Sequence, residues 1–258
     1  MPLVSVVMPV YNSATTLGAS IRSVLAQTHT NLELLITDDA STDGSMDLLK
    51  EFAARDERVL PEPAPGRGGA ARARNLAIAR ARGHFVAFLD SDDLWLPEKL
   101  EHQLAFAATA GAPLTFTSYY KVDADFAGDA ADFTPNGRVV AARESVDYRA
   151  MLTQDHIGAL TAMYDRTVLG TRLMPDIPKR QDYGLWLALL RDGAEARGLP
   201  EPLALYRAGR PGSLSSSNKF ALIPHNWALY RSVEHLSVPR STRALVGAAF
   251  HSLRKSRI

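Results

Sequence analysis

The chain has no cysteine, which excludes disulfides, thiolate metal sites and a cysteine nucleophile. Any metal must therefore be held by oxygen or imidazole. Long hydrophobic runs are missing too: nothing approaches the roughly 20 apolar residues of a membrane-spanning helix. A strand-like run begins within two residues of the N-terminus. That leaves no room for a signal peptide, so a cytoplasmic location is expected. Net charge is nearly absent at +1, and no nucleic-acid partner is expected. The near-neutrality hides a split, because from Leu205 onward there are nine Lys/Arg against one acid, Glu234. That stretch carries +8 and the rest −7, which suggests an anionic surface near the C-terminus, either a membrane face or a charged acceptor. A plain solvated basic helix explains the split equally well.

What is present, 46% hydrophobic and 22% charged residues over 258 positions, is the balance of a globular protein with a substantial core. Leu3 to Pro9, Leu32 to Thr37 and His84 to Leu89 are short apolar runs of the kind buried on both faces of a sheet. Helical patterns lie between them, over Thr15 to Gln27, Ser45 to Ala54 and Ala70 to Arg82, the last stopping at Gly83. This alternation predicts an α/β fold built from parallel βαβ units. A helix from Pro97 to Ala110 and a strand from Leu114 to Tyr120 follow. The acidic stretch Asp123 to Gly137 lacks periodicity and reads as a mobile loop. A second section holds a short helix near Val146 to Thr153, an apolar segment from Gly158 to Tyr164 and a helix from Asp182 to Arg191. Beyond the Gly/Ser-rich stretch Gly209 to Ser217, two basic helical segments separated at Pro239 close the chain. The expected division is 1–215 as the main domain, with halves 1–112 and 113–215, and 216–258 as a basic helical extension.

Ligands of an open parallel sheet bind outside the carboxyl ends of its strands, and each expected strand end carries a polar cluster. The first runs into Pro9, Val10, Tyr11 and Asn12, the second into Asp38, Asp39, Ala40, Ser41, Thr42 and Asp43, and a later one into Asp90, Ser91, Asp92 and Asp93. Singly, each serves as well for a turn or a helix cap. Asp90 and Asp92 are two apart, so an extended backbone would aim both carboxylates to one side, with Ser91 and Asp93 opposite. Paired hard oxygens suit Mg²⁺ or Mn²⁺ bridging to a substrate diphosphate. A cap for the helix at Pro97 would need one acid only. Gly66 to Gly69, followed by Arg72 and Arg74, suit a basic loop whose amides and guanidinium groups meet phosphate oxygens. The loop follows the proline-rich Pro61 to Pro65 segment rather than a first strand, which disfavours a dinucleotide-binding dehydrogenase. Tyr11 stands where a ring could stack on a base.

SVVMPVYN, TDDASTDGS, Arg74 with Asn75, FLDSDDLW and QDYGLWL resemble, in order, the motifs of family 2 glycosyltransferases, over most of residues 3 to 207. The resemblance implies a GT-A, Rossmann-like fold. It also implies inverting transfer from a nucleotide-diphosphate sugar, with a UDP-sugar expected, to a hydroxyl of a glycan or lipid-linked acceptor in surface polysaccharide synthesis. By the same resemblance Pro9, Tyr11, Asn12, Asp39, Arg74, Asp90 and Ser91 hold the nucleotide sugar. Tyr11 and Asp39 lie at the base, Asp90 lies near the ribose, and Asp92 with Asp90 holds Mn²⁺ or Mg²⁺. Asp182 is the base, and Asp155 and His156 lie on the acceptor side. Three positions depart from the family pattern: Gln181 replaces a frequent acid, Gly184 replaces an Asp, and Gly209 stands where a YRxH motif places histidine. No tail metal ligand is therefore expected. Two rival readings share the sheet and the acids: a non-catalytic nucleotide-sugar-binding protein, and a sugar nucleotidyltransferase, whose GxGxR signature is absent after the first strand.

Overall fold

The computed structural model describes residues 1–209 and 219–255. Most of the Gly/Ser-rich stretch lies outside the described residues, as does Arg257. The side chains of Phe250, Leu253, Arg254 and Lys255 are likewise outside them.

Four strands make the first half of the sheet: β1 (Val4–Val10), β2 (Leu32–Asp38), β3 (Val59–Pro63) and β4 (Phe85–Phe88). β1 and β2 are buried at all seven positions, which is why both read as mainly apolar runs, with Ser5 and Glu33 buried against each other. Helices α1 (Ala14–Leu25), α2 (Ser45–Arg55) and α3 (Gly69–Arg80) cross between them. β1 pairs in parallel with β2 on one side and β4 on the other, and β2 carries β3 at the edge. Strand order therefore reverses between β1 and β4, which opens a crevice at their carboxyl ends.

The second half makes the sheet mixed. The path runs β3-β2-β1-β4-β9-β6-β10-β5, with β7 on β6 and β8 on β10. β5 (Leu94–Trp95) precedes helix α4 (Lys99–Ala110), which ends at Gly111 in the left-handed region, φ +60°. β6 (Leu114–Asp123), β7 (Val139–Val140), β8 (Ser145–Val146), α5 (Tyr148–Thr153) and β9 (Met163–Asp165) follow. Then come α6 (Arg166–Leu169), α7 (Gln181–Leu190) and β10 (Ala196–Ala208). β9 runs antiparallel between β4 and β6, while β10 runs parallel to β6.

Five strands had no reading as strands in the sequence, β3, β5, β7, β8 and β10. β3 contains Pro61 and Pro63, which lack a donor, and survives because it is an edge strand. β10 is interrupted by Gly198, Pro200 and Pro202, and its register with β6 slips twice, between Leu199 and Pro202 and between Pro202 and Leu205. Gly198 is required there, since a Cβ would sit 2.1 Å from the Arg143 carbonyl oxygen. β5 has only two residues. The acidic stretch after β6 holds one 3-10 turn, Ala130–Asp132, and is pinned by aromatic contacts among Tyr120, Phe126 and Phe133 and by the Arg22–Asp129 and Arg138–Asp123 ion pairs.

Trp186 of α7 packs edge-on against Phe88 of β4, with ring centroids 5.4 Å apart. α8 (Ile223–Ala228), the π-turn Leu229–Val233 and α9 (Val238–Lys255) close the fold. Leu229, Tyr230 and Ala244 enter the same core as Trp186. Tyr230 donates to the Leu152 carbonyl at 2.7 Å, and Tyr183 of α7 donates to that of Met151 at 2.5 Å. The closing helices are thus tied to α5 and α7.

Candidate active site

The loop after β1 is locked to the loop after β2. Asn12 adopts φ +47°, a conformation Asn tolerates better than most residues. Its amide donates to Ser41 Oγ at 2.9 Å and its Oδ1 accepts from the Thr42 amide at 2.8 Å. Asp43 accepts from the first amides of two helices, Ala14 of α1 at 3.0 Å and Ser45 of α2 at 3.1 Å. Burial works against its charge, but these bonds and that from the Ser45 hydroxyl outweigh it and hold the carboxyl below its usual range. The loops are therefore rigid before any ligand arrives.

Asp39, at the end of β2, is buried and accepts from the amides of Gly68 at 2.7 Å and Gly69 at 2.8 Å. This corrects the expectation for the glycine-rich loop: its amides at the start of α3 are taken by Asp39 rather than offered to phosphate. Gly69 sits at φ +83°, where only glycine is unstrained. Tyr11 is exposed, and the Arg67 guanidinium lies 4.3 Å from its ring centroid.

The acidic cluster after β4 is a turn, not the extended segment expected. The Asp93 amide bonds back to the Asp90 carbonyl at 3.1 Å, and the turn gathers carboxylate oxygens of Asp90, Asp92 and Asp93 within 4.8 Å of one another. It caps no helix, because α4 starts at Lys99 with Glu98 before it. Ser91 points away from the cluster: its hydroxyl bonds Ser13 Oγ at 2.8 Å and its carbonyl accepts from Thr16 at 2.9 Å. It fastens the turn to α1. Asp93 is buried, and burial together with the charges of Asp92 and Asp90 raises its carboxyl well above the usual range. Its Oδ1 accepts from the Arg207 amide at 3.0 Å. Arg74 is buried and donates to Asp90. Burial opposes its charge, but the attraction of Asp90, Asp182 and Asp92 prevails and keeps it cationic.

Three carboxylates gathered this closely repel one another, and the buried Arg74 is drawn to both Asp90 and Asp92. The donor set fits a divalent hard cation. Asp90, Asp92 and Asp93 all line the cleft, and Asp93 is also tied to β10 by its bond to the Arg207 amide.

Asp182 stands on the opposite wall, in the first turn of α7. The residue capping that helix is Arg180, which makes no side-chain cap bond. Among the described residues, the Asp182 side chain accepts from the adjacent Tyr183 amide alone, at 2.8 Å. The capping explanation thus loses its geometry. Asp155 faces Arg180 at 3.4 Å. Burial first, and then the charge of Asp182, raises its carboxyl to about 7 against the pull of Arg180. His156 is half-buried and is not part of the cleft lining. The departures from the family pattern have local causes. Gly184 admits no side chain, because a Cβ would lie 2.4 Å from Pro175 Cγ. Gln181 is buried and donates to the Pro178 carbonyl at 3.1 Å.

Between these walls runs a cleft of about 800 Å³. Pro9, Tyr11, Asn12, Asp39, Arg74, Asp90, Ser91, Asp92, Asp155 and Asp182 all line it. So do residues that the sequence did not single out: Tyr119, Lys121, Lys179 and Arg180, together with Tyr206, which entered only as part of a motif. Tyr119 and Lys121 alternate along β6, a signal that was available once β6 was assigned. Tyr119 and Tyr206 meet edge to face at 6.0 Å. Tyr206 is brought in by β10, whose existence its prolines concealed.

Comparison with known proteins follows the same lines. The family described as "Glycosyl transferase family 2" matches residues 5–156. A putative teichuronic acid biosynthesis glycosyltransferase, TuaG, of Bacillus subtilis is 40% identical over 98% of this chain and 97% of its own. The Escherichia coli protein named UDP-Glc:alpha-D-GlcNAc-diphosphoundecaprenol beta-1,3-glucosyltransferase WfaP is 36% identical over 85% of this chain and 82% of its own. Among solved structures, Staphylococcus aureus TarS 1-349 in complex with UDP-GlcNAc superposes with a TM-score of 0.70 at 19% identity, covering 96% of this chain and 72% of that one. Mannosyltransferase PcManGT of Pyrobaculum calidifontis, in complex with GDP-Man and Mn²⁺, gives 0.64 at 18% identity, over 99% and 80%. The structural likenesses bear out the expected fold. The family match over residues 5–156 and the identity to TuaG over nearly the whole chain establish that this chain belongs to glycosyltransferase family 2.

Proposed function

We propose that this enzyme transfers a hexosyl or N-acetylhexosaminyl group, with inversion, from a UDP-sugar to a hydroxyl of a glycan or lipid-linked acceptor in surface polysaccharide synthesis. The observation that carries the reading is the placement of Asp182 across the cleft from the acidic turn, with the buried Arg74 drawn to both. The names of TuaG and WfaP favour polysaccharide and lipid-linked acceptors, and the TarS complex favours a uridine nucleotide.

In this reading Tyr11 and Asp39 hold the base, with Pro9 and Asn12 shaping the loop around it and Asp90 near the ribose. Ser91 acts by anchoring the turn. Asp92 and Asp90 would hold Mn²⁺ or Mg²⁺, which when bound supplies positive charge to the diphosphate leaving group. Asp182 accepts the proton of the acceptor hydroxyl as its oxygen attacks the anomeric carbon from the face opposite the diphosphate. Inversion follows from that single displacement, and no covalent intermediate forms. Asp155 borders the acceptor; His156 stands behind it. No helix among the described residues is long and apolar enough to cross a membrane. The basic helix α9 is assigned to peripheral contact with the anionic inner face, where a lipid-linked acceptor resides.

Nucleotide release from a panel of nucleotide sugars, with and without Mn²⁺, tests the reading. Release from a UDP-sugar that requires metal and is lost in Asp92→Ala is the expected result. Equal donor affinity with and without Mn²⁺ in calorimetry would sink the metal assignment, and binding without any release or transfer would favour the non-catalytic rival.

A further inference from the structure

We propose that Lys121, Lys179 and Arg180 form a cationic subsite on the Asp182 wall of the cleft that holds a phosphate of the acceptor, so that the acceptor is a sugar joined to its carrier through phosphate. The proposal rests on the reading of the cleft as a glycosyltransferase site.

Arg180 is the strongest part of the case. It adopts φ +71°, a left-handed conformation that is strained for any residue with a Cβ and persists where something else requires the residue. Capping is not the requirement, since its side chain makes no cap bond to α7. Nor is the ion pair with Asp155, which at 3.4 Å engages one terminal nitrogen loosely while Nε is buried with no hydrogen-bond partner. A guanidinium presents five donors in a planar fork suited to phosphate oxygens, and most of this fork is unspent. Lys179 adjoins it, and Lys121 reaches the cleft from β6. Neither lysine has an ion-pair partner among the described residues.

Placement decides which phosphate is held. The donor's diphosphate belongs beside Asp90 and Asp92, on the half of the sheet made by β1 to β4. The three cations come from the other half, and Lys179 and Arg180 lie three and two residues before the base. A group they bind is therefore adjacent to the hydroxyl that Asp182 deprotonates. A wall carrying Asp155 and Asp182 would otherwise repel an anionic acceptor.

The probes are an N-acetylglucosaminyl diphosphate ester with an alkyl tail and the alkyl glycoside of the same sugar and tail without phosphate. In Arg180→Gln/Lys179→Gln the KM for the diphosphate probe should rise about tenfold or more. The KM for the glycoside should move little and the calorimetric Kd for UDP should hold. Lys121→Gln, on a separate strand, should act in the same direction without touching α7, and Arg180→Lys should recover part of the loss. Unchanged KM for the diphosphate probe in all three variants would overturn the subsite. Weakened UDP binding in step with it would assign the cations to the donor instead and also overturn it. Failure of the underlying reading looks different: wild-type protein would then release no nucleotide from any nucleotide sugar, with or without either probe.

Discussion

Asn and Asp differ little in size or capping ability, which makes position 182 a place to separate structure from chemistry. The carboxylate is not the cap of α7, and among the described residues it accepts from the neighbouring amide alone. Asp182→Asn should therefore leave the melting temperature and the UDP affinity within error. Turnover should fall by roughly 10² or more, the usual cost of losing a general base. Near wild-type turnover on a confirmed acceptor would remove Asp182 from the mechanism. Its neighbour Asp155 answers to pH instead. Burial and the charge of Asp182 raise its carboxyl to about 7, so between its unfolded value near 4 and about 7 the folded state holds a proton that the unfolded state has lost. Stability from this group must then fall as pH rises through that window. Asp155→Asn, which stays neutral, should gain in melting temperature relative to wild type when both are moved from pH 5 to pH 8. A difference independent of pH would show that the carboxyl ionises normally.

At the scale of the element, α7 explains why this chain departs from its family at position 184. The helix passes so close to Pro175 that a Cβ on Gly184 would fall 2.4 Å from the ring, with Leu229 at 3.2 Å. Restoring the family's Asp there should cost about 1–3 kcal/mol through overpacking, or roughly 2–4 °C of melting temperature per kcal/mol in a chain of this size. A thermal scan of Gly184→Asp matching wild type would show that Pro175 yields. Other elements were legible for reasons equally local. β1 and β2 announced themselves because both faces are covered, and α3 because a helical pattern runs into Gly83. The acidic turn was legible as chemistry but not as shape, since Asp90, Ser91 and Asp92 alternate in sequence whether the backbone is extended or turned. β10 was hidden because its pairing survives Gly198, Pro200 and Pro202 by slipping register twice, something only its partner β6 reveals. With β10 went Tyr206, and with the irregular approach to α7 went Lys179 and Arg180, whose importance comes from neighbours distant in sequence.

For the molecule as a whole, the division of charge has a geometry. Residues from Leu205 onward carry +8 and those before them −7, and the closing helix α9 turns Ser241 and Ala244 into the core while Arg240, Arg243 and Val246 face outward. An exposed apolar residue one turn beyond two basic ones is the arrangement that a membrane interface rewards, the cations drawn to anionic headgroups and the valine to the acyl boundary. The alternative, a basic helix that is only solvated, has the same charges but no reason to favour a lipid surface. Sedimentation with vesicles separates the two. The wild-type chain should bind anionic vesicles in preference to zwitterionic ones, and binding should weaken as salt shortens the screening length from about 10 Å at 0.1 M to about 3 Å at 1 M. Each basic residue near such a surface contributes about 1 kcal/mol, so Arg240→Gln/Arg243→Gln should lower partitioning roughly thirtyfold while leaving transfer to a soluble, short-tailed acceptor intact. Equal binding to both kinds of vesicle would remove the membrane from the account of α9, and the positive charge of the tail would then have to be explained by solvation alone.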